Sequence, residues 1–288
     1  MAYKEPKEYT KTYGEYRELP AFAPFTETLE EWGIPADEEK LTKLYGFYRM
    51  LYRGNSVMNL TAVIEDNEVL FRHYLDSLSL VKAVPEMACP EAAPQHKHPE
   101  ESGLILNHPE ESRPKEKPAV TRIIDVGTGA GFPGMPLAIF FPGVQFTLMD
   151  SLRKRTDFLK ECASGLGLDN ITVIQARAED LARDAGHREQ YDLAVSRAVA
   201  DLSVLSEYVL PFVRVGGTFV AYKSVKAAEE LAGAEAAIGK LGGKAGESIS
   251  FDLGRDTGER TLLRIEKVRS TPKAYPRKAG EPERKPLK

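Results

Sequence analysis

The chain has 288 residues, 42% of them apolar, with 12 Phe, 12 Tyr and one Trp, which is enough for one large core or two small ones. Its two cysteines, Cys89 and Cys162, lie far apart without C-x-x-C spacing, so neither a disulfide framework nor a zinc site is indicated and a reducing compartment is expected. A net charge of −4 excludes a global basic field of the kind that advertises nucleic-acid binding.

Residues 1–20 alternate Lys, Glu, Tyr and Arg without an apolar face and read as a mobile extension. The opening MAYKEPKEYTK has no apolar run of the secretory type, so a cytoplasmic location is expected. Residues 21–84 carry three helical stripes. The first is Phe25, Leu29 and Trp32, closed by Gly33-Ile34-Pro35. The second is Leu41, Leu44, Tyr45, Tyr48, Leu51 and Tyr52, ending at Gly54-Asn55. The third is Val69, Leu70, Tyr74, Leu78 and Val81. A helical unit with one apolar face must pack on something larger. Two polar phrases interrupt it, Asn59-Leu60-Thr61 and Arg72-His73. Asn and Thr before a helix read first as caps, and a lone His beside an Arg as a satisfied or surface residue.

Residues 85–118 contain His-Pro-Glu-Glu-Ser twice, at 98–102 and 108–112, and seven Glu against four Lys or Arg. The surrounding Pro and Glu give His96, His98 and His108 no rigid ligand geometry, so a low-complexity insertion without metal is expected.

Residues 119–268 have α/β character, and Thr121–Met135, TRIIDVGTGAGFPGM, is their centre. The run Ile123, Ile124, Val126 predicts a buried parallel strand. Gly127, Gly129, Gly131 and Gly134 then let the backbone turn and approach a ligand, and Pro133 and Pro136 suit a helix start. Strand, glycine turn and helix make a nucleotide-binding βα junction. G-x-G-x-x-G at 129–134 leaves a dinucleotide open, whereas Asp125 two residues before the first glycine favours S-adenosylmethionine (SAM). Val126–Met149 is uncharged, but its five glycines and three prolines exclude a membrane-spanning helix.

Four further strands are predicted at Val144–Asp150, Ile171–Gln175, Tyr191–Ser196 and Thr218–Tyr222, the last preceded by Gly216-Gly217. Helices alternate with them, and the stripe Phe158, Leu159, Cys162, Leu166 makes Cys162 a core residue. Ser248–Leu253 and Leu262–Val268 predict an antiparallel hairpin. Asp150, Glu179, Arg197 and Lys223 all fall at or just past strand ends, where such sheets bind ligands. Asp150 suits a ribose diol in either a SAM or an NAD site. Residues 269–288 form a basic tail, and from Lys267 onward there are eight Lys or Arg against two Glu. It reads as an arm for RNA or as a solvated terminus.

The phrases MNLTAV (58–63), FRHYLDSL (71–78), RIIDVGTGAGFPGMPLAI (122–139), LMDSLRKRTDFL (148–159), ARAED (176–180), VSRAVA (195–200) and TPKAYPRKAG (271–280) resemble the RsmG family, also called GidB. The resemblance implies a Rossmann-like class I SAM-dependent methyltransferase with a seven-stranded, mostly parallel sheet ending in a hairpin. It implies transfer of the SAM methyl to N7 of one guanine in 16S rRNA, with the small ribosomal subunit or its precursor as partner. The implied cofactor contacts are Gly127, Gly129, Phe132, Asp150, Ser151, Leu152, Ala178, Glu179 and Arg197. Arg72, His73, Lys223, Arg277 and Lys278 are the candidates for seating RNA. No acid–base residue, metal or membrane contact is expected, and a monomer is. Guanine N7 has a lone pair and no proton to lose, so alignment and exclusion of water suffice. Consistently, no Asn-Pro-Pro-Tyr-like tetrad follows the fourth strand, where Ser196-Arg197-Ala198-Val199 stands, and neither cysteine sits at a strand end. The alternatives are an NAD-dependent oxidoreductase and a non-catalytic RNA-binding protein with a vestigial pocket.

Overall fold

A computed structural model describes residues 23–63, 68–88, 120–197, 200–224, 227–254 and 257–288. The expectations for residues 1–20 and for most of 85–118 lie outside these; Pro85–Met87 form a 3-10 turn. Among the described residues no helix is long and apolar enough to cross a membrane.

Seven strands form one sheet: β1 (Arg122–Val126), β2 (Gln145–Asp150), β3 (Ile171–Gln175), β4 (Tyr191–Arg197), β5 (Val213–Lys223), β6 (Gly243–Asp252) and β7 (Glu259–Lys267). Their spatial order is β3-β2-β1-β4-β5-β7-β6. The first five pair in parallel, and β7 runs antiparallel to both β5 and β6. The chain builds outward from β1 to β3 and then crosses back to β4, so the switch point lies between β1 and β4. Gly216-Gly217, expected just before the fifth strand, instead lie inside β5, where the pairing with β4 shifts register between Tyr191 and Leu193.

One face of the sheet carries the N-terminal helices together with α3 (Gly134–Phe140) and α4 (Arg153–Gly165). Helices α6 (Leu202–Val209) and α7 (Ala227–Lys240) cover the other; α5 is the short turn Ala178–Leu181 after β3. In the N-terminal unit, α1 (Ala23–Glu31) buries Phe25 and Leu29. Helix α2 (Glu38–Met58) begins where the Asp37 carboxylate accepts the Lys40 N–H at 2.9 Å. It does not stop at Gly54-Asn55 as its pattern suggests, but runs to a left-handed Asn59. Gly54 serves close packing: a Cβ there would lie 2.9 Å from the Phe158 ring on α4. The third stripe is a π-helical stretch, Val69–Leu75, continued by Asp76–Leu78 and Leu80–Ala83. Such wide turns concentrate at functional sites.

The C-terminal residues are not a free arm. Lys267 is fully buried, and its ammonium donates to the carbonyls of Leu210 (2.6 Å) and Val213 (3.1 Å) and to Thr271 Oγ1 (2.7 Å), with Glu189 3.2 Å away. Burial, opposed by Glu189, pulls this lysine down to about 8. Arg188 donates to the carbonyls of Tyr275 and Thr271. Arg277 donates from Nε and Nη2 to the buried Glu207 carboxylate, at 2.9 and 2.6 Å, while its Nη1 meets the Lys285 carbonyl. Arg277, one of the candidates for seating RNA, is thus paired with an internal carboxylate. The tail folds back because Glu207 has no water to solvate it and needs a cation.

Arg277→Ala would strand that carboxylate. A loss of about 3–5 kcal/mol is expected, measured by urea unfolding, with Glu207→Gln in the same background recovering part of it.

Candidate functional site

Two cavities meet at the carboxyl ends of β1 and β2, sharing Gly127, Asp150 and Ser151. The larger, about 410 Å³, is also lined by Thr61, His73, Gly129, Phe132, Arg155 and Arg197. The smaller, about 270 Å³, is also lined by Ala178, Glu179, Tyr208, Gly280 and Glu283.

The turn between them follows from its residues. Asp125, at the end of β1, is wholly buried, and its Oδ2 accepts the Thr128 hydroxyl (2.7 Å) and the Gly134 N–H (2.9 Å). Burial pushes this carboxyl up to about 6; the two hydrogen bonds and Arg197 pull the other way. A Cβ on Gly134 would come within 2.1 Å of Leu148 Cδ2, so α3 can start this close to the sheet only with glycine there. Gly127 and Gly129 have positive φ, and a Cβ on Gly129 would meet nothing within 4 Å, so its backbone faces the cavity openly.

Asp150 braces the turn from β2. Its Oδ2 accepts the Gly129 N–H at 3.1 Å and faces Arg155 at 3.2 Å, and its Oδ1 accepts the Leu152 N–H at 2.9 Å. Leu152 itself is exposed and lines neither lobe. Glu179 is buried, and its Oε1 accepts the Gly280 N–H at 3.0 Å.

Arg197 ends β4 and joins the helical unit to the sheet. Its Nη1 donates to Asp76 Oδ2 (2.8 Å) and to the Arg72 carbonyl (3.1 Å), and its Nη2 lies 3.2 Å from His73 Nδ1. Arg260 also reaches Asp76, at 3.4 Å. His73 stacks on Phe132 with ring centroids 4.4 Å apart, and Arg197 lies 5.0 Å from the same ring centre. The His73 Nε2 meets Thr61 Oγ1 at 2.9 Å. Burial, then the Arg197 charge, lower the imidazole to about 3, so it is neutral at physiological pH.

The structure thus gathers Gly127, Gly129, Phe132, Asp150, Ser151 and Arg197 around one lobe and Ala178 and Glu179 around the other. It also moves His73 and Thr61 from cap and surface into the cavity wall. Besides Arg277, three candidate cations line neither lobe. Lys223 pairs with Glu230 at 2.6 Å and donates to the Ala200 carbonyl, lining neither lobe. The Arg72 guanidinium lies 3.4 Å from Glu68, so Arg72 serves the site through its carbonyl. Lys278 is exposed and lines neither lobe. Thr61, Arg155, Tyr208, Gly280 and Glu283 were missed by sequence reasoning. Thr61, Arg155 and Gly280 stand inside phrases that carry the resemblance, but Tyr208 and Glu283 leave no local signal.

SAM fits this donor set: the open glycine turn and Asp150 separate two lobes, the smaller lined by the carboxylates of Glu179 and Glu283 and the larger by the guanidinium groups of Arg155 and Arg197.

Residues 105–256 match the family described as GidB, rRNA small subunit methyltransferase G. The chain is 41% identical over 259 residues to the ribosomal RNA small subunit methyltransferase G of Alkaliphilus metalliredigens, covering 90% of this chain and 95% of that protein. Identity to the protein of the same name from Alkaliphilus oremlandii is 42% over 255 residues, or 88% and 94% of the two chains. With that of Brevibacillus brevis it is 40% over 263 residues, or 91% and 98%.

Asp150→Asn removes the charge behind several hydrogen bonds and is expected to weaken SAM binding about 10- to 100-fold, the scale of one charge-assisted bond, by calorimetry. His73 gives a pH prediction. Its folded pKa lies below the unfolded value, so its contribution is full above pH 6.5 and is lost as pH falls toward 3. Between pH 7 and pH 5 this amounts to about 2 kcal/mol. Asp125 tilts the opposite way, since the folded state holds its proton longer, so the His73 share is isolated by difference. Unfolding free energies of wild type and His73→Gln should converge by that amount as pH falls; parallel curves would refute the buried neutral imidazole.

Proposed function

The chain belongs to the rRNA small subunit methyltransferase G family, and on that basis we propose that it methylates N7 of a single guanine in 16S rRNA. It is a SAM-dependent methyltransferase with an rRNA substrate. Membership sets aside the nicotinamide alternative that G-x-G-x-x-G left open.

The observation that carries the reading is the joined pair of lobes at the switch point, with Asp150 between them. When bound, SAM supplies a methyl group made electrophilic by its sulfonium. The protein's part is placement. Asp150 offers the acceptor for a ribose diol, with Gly129 and Leu152 N–H groups and Arg155 holding its carboxylate in position. Arg197 offers positive charge at the other end of the larger lobe, held against Asp76 and the Arg72 carbonyl so that it does not reorganise on binding.

Ring-nitrogen methylation asks for no proton transfer, and the site is consistent with that. His73 has both ring nitrogens engaged: Nε2 meets the Thr61 hydroxyl, and Nδ1 either accepts from Arg197 or donates to the Arg72 carbonyl, according to the tautomer. A base that must accept a proton needs a free lone pair near the substrate. Phe132, flanked by His73 and Arg197, gives the lobe an apolar wall.

The test is transfer of tritium from methyl-labelled SAM to small-subunit rRNA and to whole small subunits from a strain lacking the modification. Label at N7 of one guanine is the expected result. Label at another atom or in several guanines would refute the N7 assignment while leaving the methyltransferase assignment in place.

A further inference from the structure

Residues 275–284 form a strap across the smaller lobe. Its anchors are specific: Arg277 on buried Glu207, Arg188 on the Tyr275 carbonyl, and buried Pro276 and Pro282. Beyond Arg277 the chain turns at Gly280, whose φ is +79° and whose N–H donates to Glu179 Oε1 at 3.0 Å. The short helix α8 (Glu281–Arg284) then places Glu283 beside Tyr208. Gly280 and Glu283 line the lobe together with Ala178, Glu179 and Tyr208.

We infer that this strap is a cofactor-binding element, in which Gly280 and Glu283 complete the adenosine lobe and Glu283 acts as a positioning residue for the purine. The inference rests on the assignment of the smaller lobe to the nucleoside of SAM. Its chemistry follows from what the lobe offers. Glu179 has one oxygen taken by the Gly280 N–H, and the other accepts no hydrogen bond among the described residues. Burial, then the neighbouring carboxylates of Glu179 and Glu283, push the Tyr208 hydroxyl up, so it stays protonated, and it lines the lobe beside Glu283. Two carboxylates make the lobe rich in acceptors. The exocyclic amine is the only N–H donor on the edge of the adenine of adenosine; a 6-oxo purine puts an acceptor in its place and shifts the donor to N1, so a carboxylate placed for the amine meets the wrong group. A strap that closes over the nucleoside also ties its own stability to occupancy, because whatever binds the closed form stabilises it.

The experiment uses the full chain and S-adenosylhomocysteine as probe, with its inosine counterpart as comparison. Calorimetry on wild type, Glu283→Ala and Gly280→Pro is paired with the thermal midpoint of each ligand-free protein. Both variants should bind the adenosine probe about fivefold more weakly or worse, the scale of one hydrogen bond. Glu283→Ala should also narrow the preference for adenosine over inosine, with Glu283→Gln intermediate. In wild type, amide exchange across residues 277–284 should slow when the probe is added. Unchanged affinity in both variants overturns the inference, and so does an equal loss for both ligands, which would make the strap merely structural. A wild type that binds neither ligand overturns the cofactor assignment along with it.

Discussion

A carboxylate without access to water holds the site together. Asp125 lies inside the sheet at the end of β1, and one of its oxygens takes the Thr128 hydroxyl and the Gly134 N–H, so both ends of the glycine turn are tied to a single atom. Burial alone would favour the neutral acid, and the carboxyl is pushed up to about 6 as a result. Replacement by an apolar side chain would relieve that cost and release the turn. Asp150, at the end of the neighbouring strand β2, ties Gly129 from the outside. Two adjacent strands thus each contribute an acid, one closing the turn and the other facing the ligand.

The helical unit depends on the same place. Phe132, in the middle of the turn, sits among Phe47, His73 and Tyr74, with ring centroids 5.6, 4.4 and 5.9 Å away. Arg197 reaches from β4 to Asp76 and to the Arg72 carbonyl, and Tyr222 on β5 donates to the Ser77 carbonyl at 2.7 Å. The polar phrase Arg72-His73 therefore turns inward. The π-helical stretch sets the Arg72 carbonyl and the His73 imidazole against Arg197 at the end of β4. Movement of this unit would carry Thr61 and His73 with it and reshape the larger lobe.

Charge also behaves locally rather than globally. A net −4 says little about a site whose cations are held by buried carboxylates, as Arg277 is by Glu207 and Arg197 by Asp76. These pairs fix geometry, and breaking either would leave a charge in a medium that solvates it poorly. The basic tail shows the consequence. Its composition describes a nucleic-acid arm, yet two of the cations counted with it, Lys267 and Arg277, face inward.

The sequence by itself determined the succession of strands along the chain, the glycine turn and the acids that flank it. These are legible because each is written locally: an apolar β-branched run, glycines within a few residues, and an acid at a strand end. Cys162 as a core residue followed from helical spacing in the same way, and it is fully buried. Helix ends were less legible, since Gly54 reads as a stop whereas its real partner is Phe158, about a hundred residues away. The tertiary structure alone decided which cations are free, because the partner of Lys223, Arg197 or Arg277 is settled by distance in space and by burial. It also decided that Gly280 and Glu283, near the end of the chain, stand beside Glu179 after β3. No spacing rule connects residues a hundred positions apart; only the fold, by leaving Glu207 buried and in need of a cation, draws the tail across the sheet.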